Sequence, residues 1–174
     1  MKRLTMAIVV ILGLVVISPI AYQTIGFFVR CVNDACTVEA STSLLAIGLG
    51  ALFFLAIHLV PRQPFQNTAN LVPFSRLAGA FILDLYIFFV SFSALRMLLP
   101  LIAESFYTGS FQWEFTRNFI RPTDTIINLV GSLLFLALFL YLRYRTNQRQ
   151  RPTVGQYLMG YAAADGRSRL FEYR

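Results

Sequence analysis

Asp84 is the one acidic residue inside any long apolar run of this 174-residue chain, in the segment SRLAGAFILDLYIFFVSFSALRMLLP. An ionised carboxylate in hydrocarbon costs roughly 2.5 to 3.5 kcal/mol on insertion scales, so such a group is paired, neutral or functional. Two kinds of chemistry are open to it: taking up and releasing a proton or a cation, or tying helices together. His58 is the single histidine and the only other side chain in these runs that titrates near neutral pH. A proton relay between Asp84 and His58 stands against a plain interfacial place for a histidine beside Pro61 at the end of its run. Arg76 precedes Asp84 by about 12 Å along a helix and about 80° around its axis. Both can face a bundle interior, but a direct pair would need bending, so Asp84 is expected to find partners on other helices. Asn128 and Ser132, with Ser91 and Ser93, supply hydroxyl and amide groups that hydrogen bonding between helices accounts for.

Cys31 and Cys36 lie in RCVNDACTVEA, where Asn33 and Asp34 can turn the chain. A structural disulfide is the favoured reading if this loop faces an oxidising compartment. Free thiols remain open, and a metal site would need more ligands than two thiols. The chain shows no nucleophile with a matching base, no cluster of metal ligands and no phosphate loop. It therefore reads as a non-enzyme without a cofactor or a metal.

The elements that must position these residues are membrane spans. Hydrophobic residues make up 57% of the chain and charged residues only 13%, about half the charge of an ordinary soluble domain; mean hydropathy is +0.64. Four runs, Met6 to Val29, Ser41 to Val60, Leu77 to about Ala103, and Thr125 to Leu142, approach the roughly 20 residues that cross about 30 Å of hydrocarbon. The first follows Lys2 and Arg3 as a signal peptide would, but continues past any cleavage pattern and reads as a retained anchor. The expected fold is an all-α membrane protein, four helices in an up-down bundle. Residues 1–60 form one helix pair, 61–75 an inner loop, 76–143 a second pair, and 144–174 a basic tail. Small residues at Ala46, Gly48, Gly50, Ala51, Ala78, Gly79 and Ala80 mark close helix packing.

Orientation follows from the positive charges. With the N-terminus inside, Lys2, Arg3, Arg62, Arg76, Arg143, Arg145, Arg149, Arg151, Arg167, Arg169 and Arg174 are cytoplasmic, and only Arg30, Arg117 and Arg121 are outside. Arg76 and Arg96, about 30 Å apart on one helix, mark opposite interfaces and snorkel outward. The net charge of +7 then points to anionic lipid, held by Arg143, Arg145, Arg149 and Arg151, and not to nucleic acid. The second outer segment, Glu104 to Asp124, spreads Phe106, Tyr107, Phe111, Trp113, Phe115 and Phe119 among charges and is expected along the membrane surface, with a partner-binding face as the alternative. Asp165-Gly166 signals a hairpin with arms Gly160 to Ala164 and Arg167 to Tyr173.

Arg76 and Asp84 in SRLAGAFILDLYIFF, followed after another span by RPTVGQYLMGYAAADGR, resemble the RDD family of bacterial membrane proteins. The resemblance covers about residues 74–169. It implies a multi-pass protein of the bacterial inner membrane, with Arg76, Asp84 and Asp165 as the naming arginine and aspartates and Thr153, Gly155 and Gly160 as a cytoplasmic motif. Gln156 stands where the family usually has lysine, which removes that charge or moves it to Arg149 or Arg151. Family members usually continue into a further helix, whose place the two N-terminal helices fill here. Transport roles, including cation/proton exchange, have been proposed in the family and suit a membrane carboxylate. The competing expectation is a non-catalytic accessory or scaffold subunit, assembling as a homo-oligomer or with other membrane proteins.

Overall fold

The computed structural model describes residues 2–24, 26–32, 35–59, 67–148, 151–164 and 167–171. The chain is mostly helical, in the order α1 (Lys2–Thr24), β1 (Gly26–Val32), β2 (Ala35–Ser41), α2 (Leu44–Leu59), β3 (Asn67–Leu71), α3 (Phe74–Arg96), α4 (Leu98–Thr108), β4 (Glu114–Arg117), α5 (Pro122–Gln148), α6 (Val154–Met159), β5 (Tyr161–Ala164) and β6 (Arg167–Phe171). Two helical stretches are long and apolar enough to cross a membrane, Phe74–Thr108 and Pro122–Gln148. Of the other two expected spans, α2 has 16 residues, about 24 Å of helix and short of a 30 Å core.

Three boundaries differ from the apolar pattern, each for a local reason. The first run does not stay helical to Val29: α1 stops at Thr24, and Gly26 with the β-prone Phe27, Phe28 and Val29 enters a strand. Ser41 ends β2 and is not the start of a span. The third run breaks at Met97, between α3 and α4. Pro100 has no N–H to give the Arg96 carbonyl, and its ring crowds that oxygen, so the helix restarts.

The chain divides into two compact units, to each of which α1, α2, α3 and α5 contribute. One comprises Met1–Leu14, Phe53–Phe89 and Leu138–Arg174; the other comprises Val15–Leu52 and Val90–Ala137.

In the first unit Met6, Val10, Ile57, Ala80, Phe88, Phe139, Tyr157 and Tyr161 are buried. A Cβ on Gly13 would fall 2.0 Å from the Phe53 ring, so α1 and α2 touch where α1 has no side chain. The inner loop expected at 61–75 carries β3, which pairs antiparallel with β6, and β6 pairs with β5 to give the sheet order β3-β6-β5. The strand pairing brings Ala164 opposite Arg167. Asp165 and Gly166, where the turn was expected, lie outside the described residues.

In the second unit β1, β2 and β4 form an antiparallel sheet with β2 in the middle. Val38 and Ala40 of β2 are buried while Glu39 is exposed, the two-residue alternation of a half-buried strand. Cys31 and Cys36 sit opposite each other in the β1–β2 register and form a disulfide. The aromatic segment is thus partly folded into a sheet, β4 pairing Phe115 with Ala40 and Arg117 with Val38. Gly50 of α2 lies against the Ser91 carbonyl, which a Cβ would approach to 2.2 Å, whereas Gly48 faces open space. Of the small residues on this helix, Ala46 and Gly50 are buried, matching the small-xxx-small spacing.

Candidate functional site

Asp84 is held by three donors from two other parts of the same unit. Arg143 Nη1 of α5 reaches Oδ2 at 2.5 Å, the Thr153 hydroxyl donates to Oδ2 at 2.6 Å, and the Gly155 backbone N–H donates to Oδ1 at 2.6 Å. The pair is well shielded, with side-chain exposures of 17% for Arg143 and 9% for Asp84. At such a place an unpaired charge would be costly, and charge-assisted hydrogen bonds are about twice as strong as neutral ones. Arg143 also lies over the Phe81 ring, 5.1 Å from its centroid, and Phe81 packs edge-on against Phe139. The guanidinium is therefore fixed on both its edge and its face.

The local sequence explains how the short helix α6 delivers its two donors. Thr153 is its N-cap, with extended backbone, and accepts from the Gln156 N–H while the Gln156 side chain accepts from the Thr153 N–H at 2.8 Å. This reciprocal capping box closes two backbone donors and aims the Thr153 hydroxyl proton at Asp84. Gly155 has no side chain because none fits: a Cβ would lie 2.2 Å from the Ala80 carbonyl oxygen and 2.9 Å from Asp84 Oδ1. Gly160 ends the helix at φ 76, the left-handed C-cap that glycine adopts without strain. The small residues Gly79 and Ala80 accordingly receive α6, with the Met159 methyl 3.2 Å from where a Cβ on Gly79 would stand.

Tyr161, fully buried at the start of β5, completes the cluster. Its hydroxyl is hydrogen-bonded to the side chains of Arg143 and Gln156, and burial pushes its pKa above 10.0, helped by Asp84 and opposed by Arg143. Gln156 thus ties the cap of α6 to the strand that follows. Sequence reading did not single out Tyr161, and it placed Arg143 on lipid when the structure spends its head on Asp84. The available signal was charge balance: a lone acid in an apolar run calls for a cation at similar depth, and Arg143 adjoins the end of the fourth run.

The other expected site residues fall differently. Arg76 is exposed and forms no ion pair among the described residues. His58 is exposed, donates from Nδ1 to the Phe54 carbonyl at 2.8 Å, and stacks at 4.1 Å on the Phe54 ring. It lines the same pocket as Asp84. Arg145 and Arg151 are exposed, whereas Arg149 and Asp165 lie outside the described residues. No group of three metal-ligating side chains occurs among the described residues.

A second charged cluster occupies the other unit. Arg117 Nη2 lies 2.8 Å from both oxygens of Asp124, Glu104 lies 3.4 Å from Arg117 Nε and 3.0 Å from Arg121 Nη1, and the Arg121 N–H donates to Asp124. Arg117 lies over Phe115 and Phe119, and Arg121 over Tyr107 at 4.0 Å. Two positive and two negative charges balance, so the segment expected along the membrane surface is clasped by its own ions. Arg96, expected to snorkel, instead donates to Asn128 at 2.5 Å and Ser132 at 2.8 Å.

Comparison with protein families, with curated proteins and with solved structures finds no match for this chain.

Proposed function

We propose that the chain is a non-catalytic accessory or scaffold subunit of a bacterial inner-membrane assembly, RDD-like in its Arg76, Asp84 and T-x-G features. In this reading α1, α2, α3 and α5 cross the bilayer with both termini cytoplasmic. The arginine asymmetry supports that orientation, as does the Cys31–Cys36 disulfide, which belongs on an oxidising side. Exposed apolar side chains along α5, among them Leu129, Leu133 and Leu140, suit contact with lipid.

The observation that carries this reading is the occupation of Asp84. A carboxylate that exchanges protons for cations must give up its partners in each cycle, and this one is bound by a guanidinium, a hydroxyl and a backbone N–H at once. The cluster works as a lock that docks α6 on α3. The basic tail beyond it offers Arg145 and Arg151 to anionic headgroups, each worth about 1 kcal/mol near such a surface.

Cation/proton exchange at Asp84 is the second reading, favoured by a pocket that both Asp84 and His58 line. Purified protein in vesicles separates the two. The scaffold reading expects no cation-driven proton movement by wild type or Asp84→Asn, together with stoichiometric co-purification of other membrane proteins that the substitution disrupts. Cation-driven proton movement by wild type that Asp84→Asn abolishes would establish the exchanger instead.

A further inference from the structure

The pocket beside Asp84 has walls that do not match an ion. Its volume is about 60 Å³, several times what one water needs. Phe54 of α2, Ile87 and Phe88 of α3, Phe139 and Leu142 of α5, and Val154 of α6 supply most of the lining. The polar side chains that reach it are engaged within the protein. Asp84 is neutralised by Arg143, Thr153 donates to Asp84, Thr146 donates to the Leu142 carbonyl at 2.8 Å, and His58 Nδ1 donates to the Phe54 carbonyl. A hydrated cation would meet no net negative charge here, and the wall is mostly apolar.

We propose that this pocket binds the acyl chain of a membrane lipid between α2, α3 and α5. The proposal rests on the reading that the chain lies in a bilayer. Leu55, Ile82 and Leu140 of the same three helices are exposed, so hydrocarbon surrounds the elements that form the pocket. A chain entering it gains little from the hydrophobic effect, since lipid tails are already apolar; contact with three phenyl rings and shape complementarity supply the preference. Asp84–Arg143, neutral as a pair, forms the polar limit of the site.

The test is photolabelling of the full chain in phosphatidylethanolamine and phosphatidylglycerol vesicles that carry a trace of phospholipid with a diazirine on its acyl chain. Labelled positions are mapped by mass spectrometry. The expected map shows Phe88 and Phe139 labelled several-fold above Leu55, Ile82 and Leu140. Filling the pocket with Ile87→Trp or, separately, Leu142→Trp is expected to bring Phe88 and Phe139 down to the level of the exposed positions. Wild-type labelling no higher in the pocket than on the exposed faces overturns the proposal while leaving the bilayer reading intact. An enrichment that survives both substitutions also overturns it. Absence of label at Leu55, Ile82 and Leu140 as well removes the bilayer reading, and the proposal with it.

Discussion

Asp84 and Arg143 each make the other tolerable in an apolar setting, which sets the expected cost of separating them. Asp84→Leu leaves the Arg143 guanidinium shielded and without its counter-ion, and unfolding in detergent should be easier by about 3 to 5 kcal/mol. The double variant Asp84→Leu, Arg143→Met removes both charges and should recover much of that loss. Equal destabilisation by the single and double variants would show that the ion pair is not the source. Tyr161 gives the cluster a pH signature. Its folded-state pKa is raised above 10.0, so its contribution is fully present below pH 10 and is lost as the pH climbs through the higher folded value. Stability should fall more steeply above pH 10 in wild type than in Tyr161→Phe, as followed by alkaline unfolding. Asp84 was legible in the sequence as a costly group, because one acid among leucines and phenylalanines is conspicuous. Its partners were not, because Arg143, Thr153 and Gly155 are 59 to 71 residues away and reach it only through the packing of α5 and α6 on α3.

At the scale of elements, apolar length was readable and strand pairing was not. The runs that became α3 and α5 stood out by composition, while β2 and β4 share a sheet across the whole of α2, α3 and α4. Nothing local in Glu114–Arg117 announces that partner. The break at Met97 was in principle available from Pro100, whose missing N–H falls within the third run. Helix α6 has six residues, too few to be stable alone, so its docking and not its propensity keeps it folded. Gly155→Ala should therefore displace it, at a cost of about 1 to 3 kcal/mol, and expose the tail to limited trypsin cleavage at Arg167 and Arg169. Gly48→Ala, which faces open space, is the matching control and should be neutral or stabilising by up to about 1 kcal/mol through helix propensity. A similar loss from both glycines would mean that the contact with Ala80 does not matter. In the other unit, reducing Cys31–Cys36 removes the constraint on a small ring, with an expected loss of about 2 kcal/mol on a chain-entropy estimate, measured as a lower melting temperature in reductant.

At the scale of the whole molecule, the Asp84 cluster is a fastener between α3, α5 and α6. A capped turn of helix, a strand and the basic tail are attached to α3 by one carboxylate, and the same residues set the polar limit of a pocket otherwise lined mostly by apolar side chains. This is a stable arrangement to build a membrane subunit around and an awkward one for an ion carrier, since moving the ion would undock α6. The most direct test is hydrogen exchange of backbone amides in the reconstituted protein, with α4 as an internal reference outside the Asp84 unit. In wild type the Gly155 N–H, which donates to Asp84, should exchange slowly. In Asp84→Leu the amides from Gly155 to Tyr157 should exchange at least about tenfold faster while those of α4 do not change, the loss expected from one buried hydrogen bond to a charged group. Unaltered protection of Gly155 in the variant would contradict the lock.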